Sequence, residues 1–218
     1  MKLSANTITV LKNFSTLNPA MIFKTGNELR ITTPLKTVIA VVKVEDTFET
    51  SFSIGDLPKF LSVLSLFEAP DLTFGEAQVV VKAGKKKLNY TYSSESVIVS
   101  PPWKELKISS VEAEFELRNE VLCDIIKGAS VLGLKEIAFV GNGTNVSVQA
   151  VQSNDPSSSN YSIEVGESEN VFRAIYKVEN MKLLPCDYKV KLSKHGMSEF
   201  TADNVQYIVA LEASSKFN

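Results

Sequence analysis

The apolar residues of this chain run through one order of elements twice, and that repetition limits the folds open to it. From a Ser4 cap, Thr7, Val10, Leu11, Phe14 and Leu17 recur at helical spacing, while Lys12 and Asn13 fall on the other side. Extended runs follow at 21–24, 29–32, 37–44 and 48–54, rich in β-branched and aromatic residues and punctuated by Thr25-Gly26-Asn27 and Pro34. Asp56 then caps a short helix with Leu57, Phe60, Leu61 and Leu64 on its apolar side and Lys59 pointing away. Runs at 71–74, 78–82 and 87–92 complete the first pass.

Pro101 and Pro102, next to Trp103, remove two ladder donors, so residues from about 99 to 110 form a connector. Beyond it the order restarts with a helix over 118–130 that carries Val121, Leu122, Ile125, Ile126 and Ala129 on one face. Strands over 136–140 and 146–151 flank the hairpin sequence Gly141-Asn142-Gly143. A polar loop over 153–159, runs at 161–165 and 171–176, and a short helix with Val178 and Met181 inward lead to Pro185. Strands at 188–192, 199–202 and 206–212 finish the pass. Aligning the leading helices lays Val10-Leu11 on Ile125-Ile126, Leu17 on Leu132 and Lys12 on Lys127. Two helices per domain, each apolar on one face, pack side by side on an antiparallel sheet and leave their polar faces on a common surface. The expectation is an α+β chain of two similar domains, residues 1–100 and 111–218.

With 23 Lys and Arg against 25 Asp and Glu, the net charge is −2. Such a chain is poorly suited to gripping nucleic acid through a broad basic surface, because that affinity comes from neutralising many phosphates. Retention by enclosure has no such requirement. No stretch approaches the ~18 apolar residues of a membrane span, and the opening residues are too polar for a signal segment, so no membrane partner is expected.

Catalytic material is sparse. The single histidine, His195, sits in Ser193-Lys194-His195-Gly196, a hairpin-turn sequence with no nucleophile motif beside it. No glycine-rich phosphate loop precedes a helix. Cys123 and Cys186 lack the neighbouring Cys or His that a metal site needs and are expected to be buried free thiols. No enzymatic activity, cofactor or metal is expected.

Several segments carry a family resemblance. Met1-Lys2-Leu3-Ser4, Thr7, Leu11-Lys12-Asn13-Phe14, Thr16 and Asn18 resemble the opening of the DNA polymerase sliding clamps of T-even-type bacteriophages. Ile54, Asp56-Leu57, Phe60-Leu61 and Leu64-Ser65-Leu66 are similar to their second helix. Leu132, Ile137-Ala138, Asn180-Met181-Lys182, Pro185, Tyr188-Lys189, Asn204, Tyr207 and Val209-Ala210-Leu211-Glu212-Ala213 follow the same family in order and spacing. Matching motifs are missing from about 71 to 118 and across the Ser-rich loop. The resemblance implies a DNA clamp fold and a homotrimeric ring of six similar domains that encircles duplex DNA without reading its sequence. It further implies a clamp loader and the replicative DNA polymerase as partners, and a place of action in the cytoplasm of the infected bacterial host.

In that ring Lys2, Lys12, Lys59, Arg118, Lys127 and Lys182 would line the lumen and meet phosphates. An ordinary solvated helix face carries the same residue types, and Glu120 and Asp124 dilute the charge of the third helix. Lys85-Lys86-Lys87 is read as a solvated hairpin turn. Clamp partners of this family insert a short apolar peptide, for which Pro101, Trp103, Tyr207 and Leu211 are the expected walls; Trp103 also suits simple interdomain packing. The competing expectation is a phage structural or adhesin-like β-rich protein, suggested by the Ser- and Asn-rich turns.

Overall fold

The chain divides into two units, Met1–Trp103 and Lys104–Asn218. The computed structural model describes residues 1–155 and 157–218; Pro156, in the expected polar loop, lies outside them.

In the first unit, helix α1 (Ala5–Leu17) starts at Ser4, whose hydroxyl accepts from the Thr7 amide at 3.1 Å, and it buries Thr7, Val10, Leu11, Phe14 and Leu17. Asn18 ends it in extended backbone, its side-chain amide donating to the Thr32 carbonyl at 2.8 Å. Strand β1 (Met21–Phe23) pairs antiparallel with β4 (Phe52–Ile54), and β2 (Gly26–Thr32) with β3 (Val38–Phe48). The run expected over 48–54 is split, because residues 49–51 turn the chain back. That turn lets Phe48 and Phe52 enter one cluster with Phe23, Phe74 and Tyr92, in which contacting ring centroids lie 4.4 to 6.0 Å apart.

Helix α2 (Leu57–Leu64) is capped by Asp56, whose carboxylate accepts from the Lys59 amide at 2.9 Å, with Pro58 in the first turn where no donor is lost. Its first amide, Leu57, donates to the Pro19 carbonyl at 2.6 Å, and α1 and α2 pack against each other. Strands β5 (Asp71–Phe74), β6 (Gln78–Ala83) and β7 (Lys86–Thr91) form an antiparallel sheet in that order.

The start of α1 is held from outside the helix. The Asp46 carboxylate, on β3, accepts from the Ser4 amide at 2.7 Å. Burial pushes its pKa up, but hydrogen bonds from Thr7 and Ser4 outweigh this and hold it below the usual aspartate value. Since the folded pKa is depressed, the stabilisation is present above the unfolded pKa and is lost as pH falls through the folded one. Asp46→Ala is expected to cost about 1 kcal/mol, the size of a lost helix cap. The variant should also lose less stability than the parent on acidification below roughly pH 4; denaturant unfolding across that range measures both effects.

The second unit opens on β8 (Ala113–Leu117), where no strand is expected from the sequence. Its period-two signal is present, with Ala113, Phe115 and Leu117 buried between exposed Glu114 and Glu116, but five residues are a short window. Helix α3 (Asn119–Leu132) follows. Arg118 supplies no side-chain cap; instead the Asp187 carboxylate accepts from the Asn119 amide at 2.7 Å. Gly133, at φ 66°, ends the helix in the left-handed region. Ending there leaves Leu132 41% exposed, so it does not match the buried Leu17 with which the sequence aligns it.

Strands β9 (Glu136–Asn142), β10 (Asn145–Val151), β11 (Tyr161–Glu167), β12 (Val171–Lys177), β13 (Tyr188–Ser193), β14 (Met197–Ala202), β15 (Val205–Ala210) and β16 (Lys216–Phe217) complete the unit. One sheet has the order β11-β10-β9-β12-β16; in the other, β15, β14, β13 and β8 are neighbours in that order. Helix α3 lies on β9, β10 and β11. The second short helix expected here is a single 3-10 turn, Val178–Met181, which buries Asn180 and Met181 and leaves Val178 half-buried. Phe115, Phe139, Tyr176, Phe200, Tyr188 and Tyr207 form the aromatic core. Among the described residues no helix is long and apolar enough to cross a membrane.

Candidate nucleic-acid interface

Each helix turns its polar side to solvent because its apolar stripe is used in packing. On α1 the exposed side carries Lys12, and on α2 it carries Lys59; neither helix contains a carboxylate, and the acids at their starts, Asp46 at α1 and Asp56 at α2, are engaged as caps. Lys2, just before α1, is exposed as well. Lys2 and Lys12 border one cavity of about 380 Å³, floored by Leu3, Ile8, Leu61 and Leu72. Lys2, Lys12 and Lys59 make no ion pair among the described residues, so their charge is not offset by a carboxylate within either helix.

The second unit differs. Arg118 pairs with Glu120 at 2.8 Å and Lys127 with Asp124 at 3.5 Å, both on α3 or at its start and both well exposed. Exposed pairs of this kind contribute little to stability, but they offset the field an approaching phosphate would meet. Lys182 lies just after the 3-10 turn and lines a cavity of about 770 Å³ with Lys135, Lys177 and Met181, which Glu136 and Glu179 also line. Lys135 and Lys177 are cations that sequence reasoning missed. The available signal was weak, a lysine two residues past the Gly133 cap and another just before the turn.

The four residues expected to wall a peptide groove fall two in each unit. Trp103 is 40% exposed, with the Arg30 guanidinium 5.4 Å from its ring centroid. Arg30 also donates to the Pro102 carbonyl at 2.7 Å and to Glu28 at 2.6 Å, which fixes the backbone beside the indole; Pro101 is buried. Leu211 is half-buried. Tyr207 is a correction: it is fully buried, edge-on to Tyr188, and its hydroxyl accepts from the Leu184 amide at 3.1 Å. Burial raises its pKa far above the phenol range, so it stays a neutral core residue with no surface to offer a peptide.

His195 sits exposed in the turn between β13 and β14, with Gly196 at φ 82°. The cysteines depart from expectation, Cys123 being exposed on the outer side of α3 and Cys186 half-buried. Position 123 lies outside the stripe of Val121, Leu122, Ile125 and Ala129 that faces the sheet.

Solved structures with this fold include PCNA and bacterial beta clamps. PCNA of A. fulgidus, bound to the C-terminal region of FEN-1, has a TM-score of 0.69 at 16% identity over 96% of both chains. The Helicobacter pylori beta clamp bound to a DNA ligase peptide has a TM-score of 0.70 at 13% identity, over 97% of this chain and 65% of that one. At such identities the likeness defines the class, the DNA clamp fold. The sequence goes further: residues 3–100 match the family described as DNA polymerase processivity factor, and residues 114–213 match the gp45 sliding clamp, C terminal. The sliding clamp of Vibrio phage KVP40 is 33% identical over 98% of this chain and 100% of its own length. That of Enterobacteria phage T4 is 27% identical over 99% and 98%. The chain belongs to the sliding clamp family of T4-like phages. An end-to-end match of this kind leaves the structural or adhesin-like alternative without support.

Proposed function

We propose that this protein tethers the replicative DNA polymerase to duplex DNA, as a homotrimeric ring of two-domain subunits (residues 1–100 and 111–218) closed around the double helix. The observation that supports this most directly is the face of α1 and α2, where exposed lysines stand without an acid in either helix on a chain whose net charge is −2. A few phosphate contacts of that kind give a weak, sequence-independent grip that permits sliding, and enclosure supplies retention. Lys2, Lys12 and Lys59 carry most of this contact. Lys182 adds to it, and Arg118 and Lys127 act at reduced strength beside their own carboxylates.

The ring is opened and placed by an ATP-driven clamp loader in the cytoplasm of the infected host, and the clamp performs no catalysis of its own. Trp103 in the first unit and Leu211 in the second each keep accessible apolar surface, and each is a candidate contact for the polymerase's peptide. Light scattering at micromolar concentration is expected to give three times the 23.9 kDa of one chain, and primer extension by the cognate polymerase should become processive when the clamp is loaded. A stable monomer without effect on primer extension overturns the proposal.

A further inference from the structure

The cavity bordered by Lys2 and Lys12 has a chemistry that phosphate contact leaves unexplained. Its floor is aliphatic, formed by Leu3, Ile8, Leu61 and Leu72 from the amino-terminal segment, α1, α2 and β5. No carboxylate lines it, and its one uncharged polar side chain, Ser65, donates its hydroxyl proton to the Ser62 carbonyl at 2.7 Å. A phosphate resting on the two ammonium groups would leave that floor facing water. The larger cavity of the second unit differs, since Gln152, Asn154, Glu136 and Glu179 line it.

The walls are fixed by the fold. The Met1 ammonium donates to the Leu72 carbonyl at 2.6 Å, and the Leu72 amide donates to the Met1 carbonyl at 2.7 Å. This pairing ties down a chain start that would otherwise fray, and it holds Lys2 and Leu3 beside α1. Ala69, which also lines the cavity, is held at φ 45°, in the left-handed region that is costly for a residue with a Cβ. At about 380 Å³ the space falls within the ~300–1,000 Å³ of small-molecule sites.

These walls select one class of ligand. Sugars, bases and peptide backbone carry polar groups that would find no partner on the floor, while the lysines call for a negative charge at one end. We propose that the cavity binds a single-chain fatty acid, its carboxylate against Lys2 and Lys12 and its hydrocarbon tail over Leu3, Ile8, Leu61 and Leu72. Neither lysine makes an ion pair among the described residues, so both are available to the carboxylate. A bound acid occupies cations that meet phosphates, so acid and DNA oppose each other, each weakening the other by the same factor. That consequence rests on the DNA-facing role proposed above; the site itself does not.

The test titrates sodium decanoate, below its micelle threshold, into the full chain by calorimetry. Saturable binding of one acid per chain is expected, tightening roughly tenfold for every two methylenes from hexanoate to decanoate. Decanol, with the same tail and no charge, should bind about fivefold more weakly, as should decanoate to the Lys2→Gln, Lys12→Gln variant. Ile8→Phe fills the cavity from a half-buried position and is expected to abolish binding, with a thermal melt like the parent's showing the fold intact. If that variant unfolds, the lysine variant, changed only at exposed positions, decides alone. Absence of saturable binding overturns the site, as does an affinity indifferent to tail length, head-group charge and the lysine substitutions. If decanoate binds as described yet leaves retention of the loaded clamp on DNA unchanged, the site stands and the DNA-facing role of Lys2 and Lys12 falls.

Discussion

Reversing Lys12 and Lys59 together, as Lys12→Glu with Lys59→Glu, is expected to shorten polymerase runs by roughly tenfold or more while leaving the oligomer intact. Both side chains are exposed, outside the buried stripes of α1 and α2, so the fold does not depend on them. The loss should be uniform across template sequences, and the salt dependence of clamp retention should flatten by about one unit of slope per lysine. The companion change, Arg118→Glu with Lys127→Glu, is expected to do less. Those cations already face Glu120 and Asp124, so the free field they contribute is smaller from the start. Single-molecule run lengths for the two pairs, measured side by side, decide the point. Unchanged runs for the first pair would make Lys12 and Lys59 ordinary solvent-facing residues.

The largest effect on stability is expected at Phe139. Its ring is fully buried on β9 and meets Phe115 at 5.3 Å, Tyr176 at 5.1 Å and Phe200 at 6.1 Å, so it links residues from four strands of the second unit. Phe139→Ala removes these contacts and leaves a cavity, a change that costs roughly 3–5 kcal/mol in well-packed cores. Unit-resolved unfolding, by hydrogen exchange under denaturant, should show the loss confined to residues after Trp103. A loss spread equally over the first unit would mean that the two units unfold as one cooperative body.

Much of the architecture is legible before any coordinates. Ser4 and Asp56 announce helix starts because their side chains satisfy orphan amides locally, and both do so as expected. The apolar stripe of α1 is buried residue for residue because helical periodicity is a property of the chain alone. Features that depend on residues far apart in sequence are less visible. Asp46 and Asp187 cap their helices from 42 and 68 positions away, and nothing near Ser4 or Asn119 signals them. Strand β8 escaped notice because alternation over five residues is a weak pattern until β13 pairs with it.

The candidate site divides in the same way. Residue type and helical phase placed Lys12 and Lys59 on an outward face, since a side chain opposite a buried stripe has no other place to go. Spacing along α3 already signals that Arg118 and Lys127 lose field to Glu120 and Asp124, two and three positions away, while Lys135 and Lys177 join Lys182 only through the fold. Tyr207 shows the limit most sharply, because alternation along β15 is the same for a groove wall and a core residue, and the packing of Tyr188 and Leu184 around it decided for the core. The sequence by itself determined the duplicated α+β order, the polarity of each helix and the dilution of charge on α3, all set by local spacing. Tertiary structure alone decided which distant carboxylates cap the helices and which aromatic residues are core, because those are properties of neighbours that the chain brings together only when it folds.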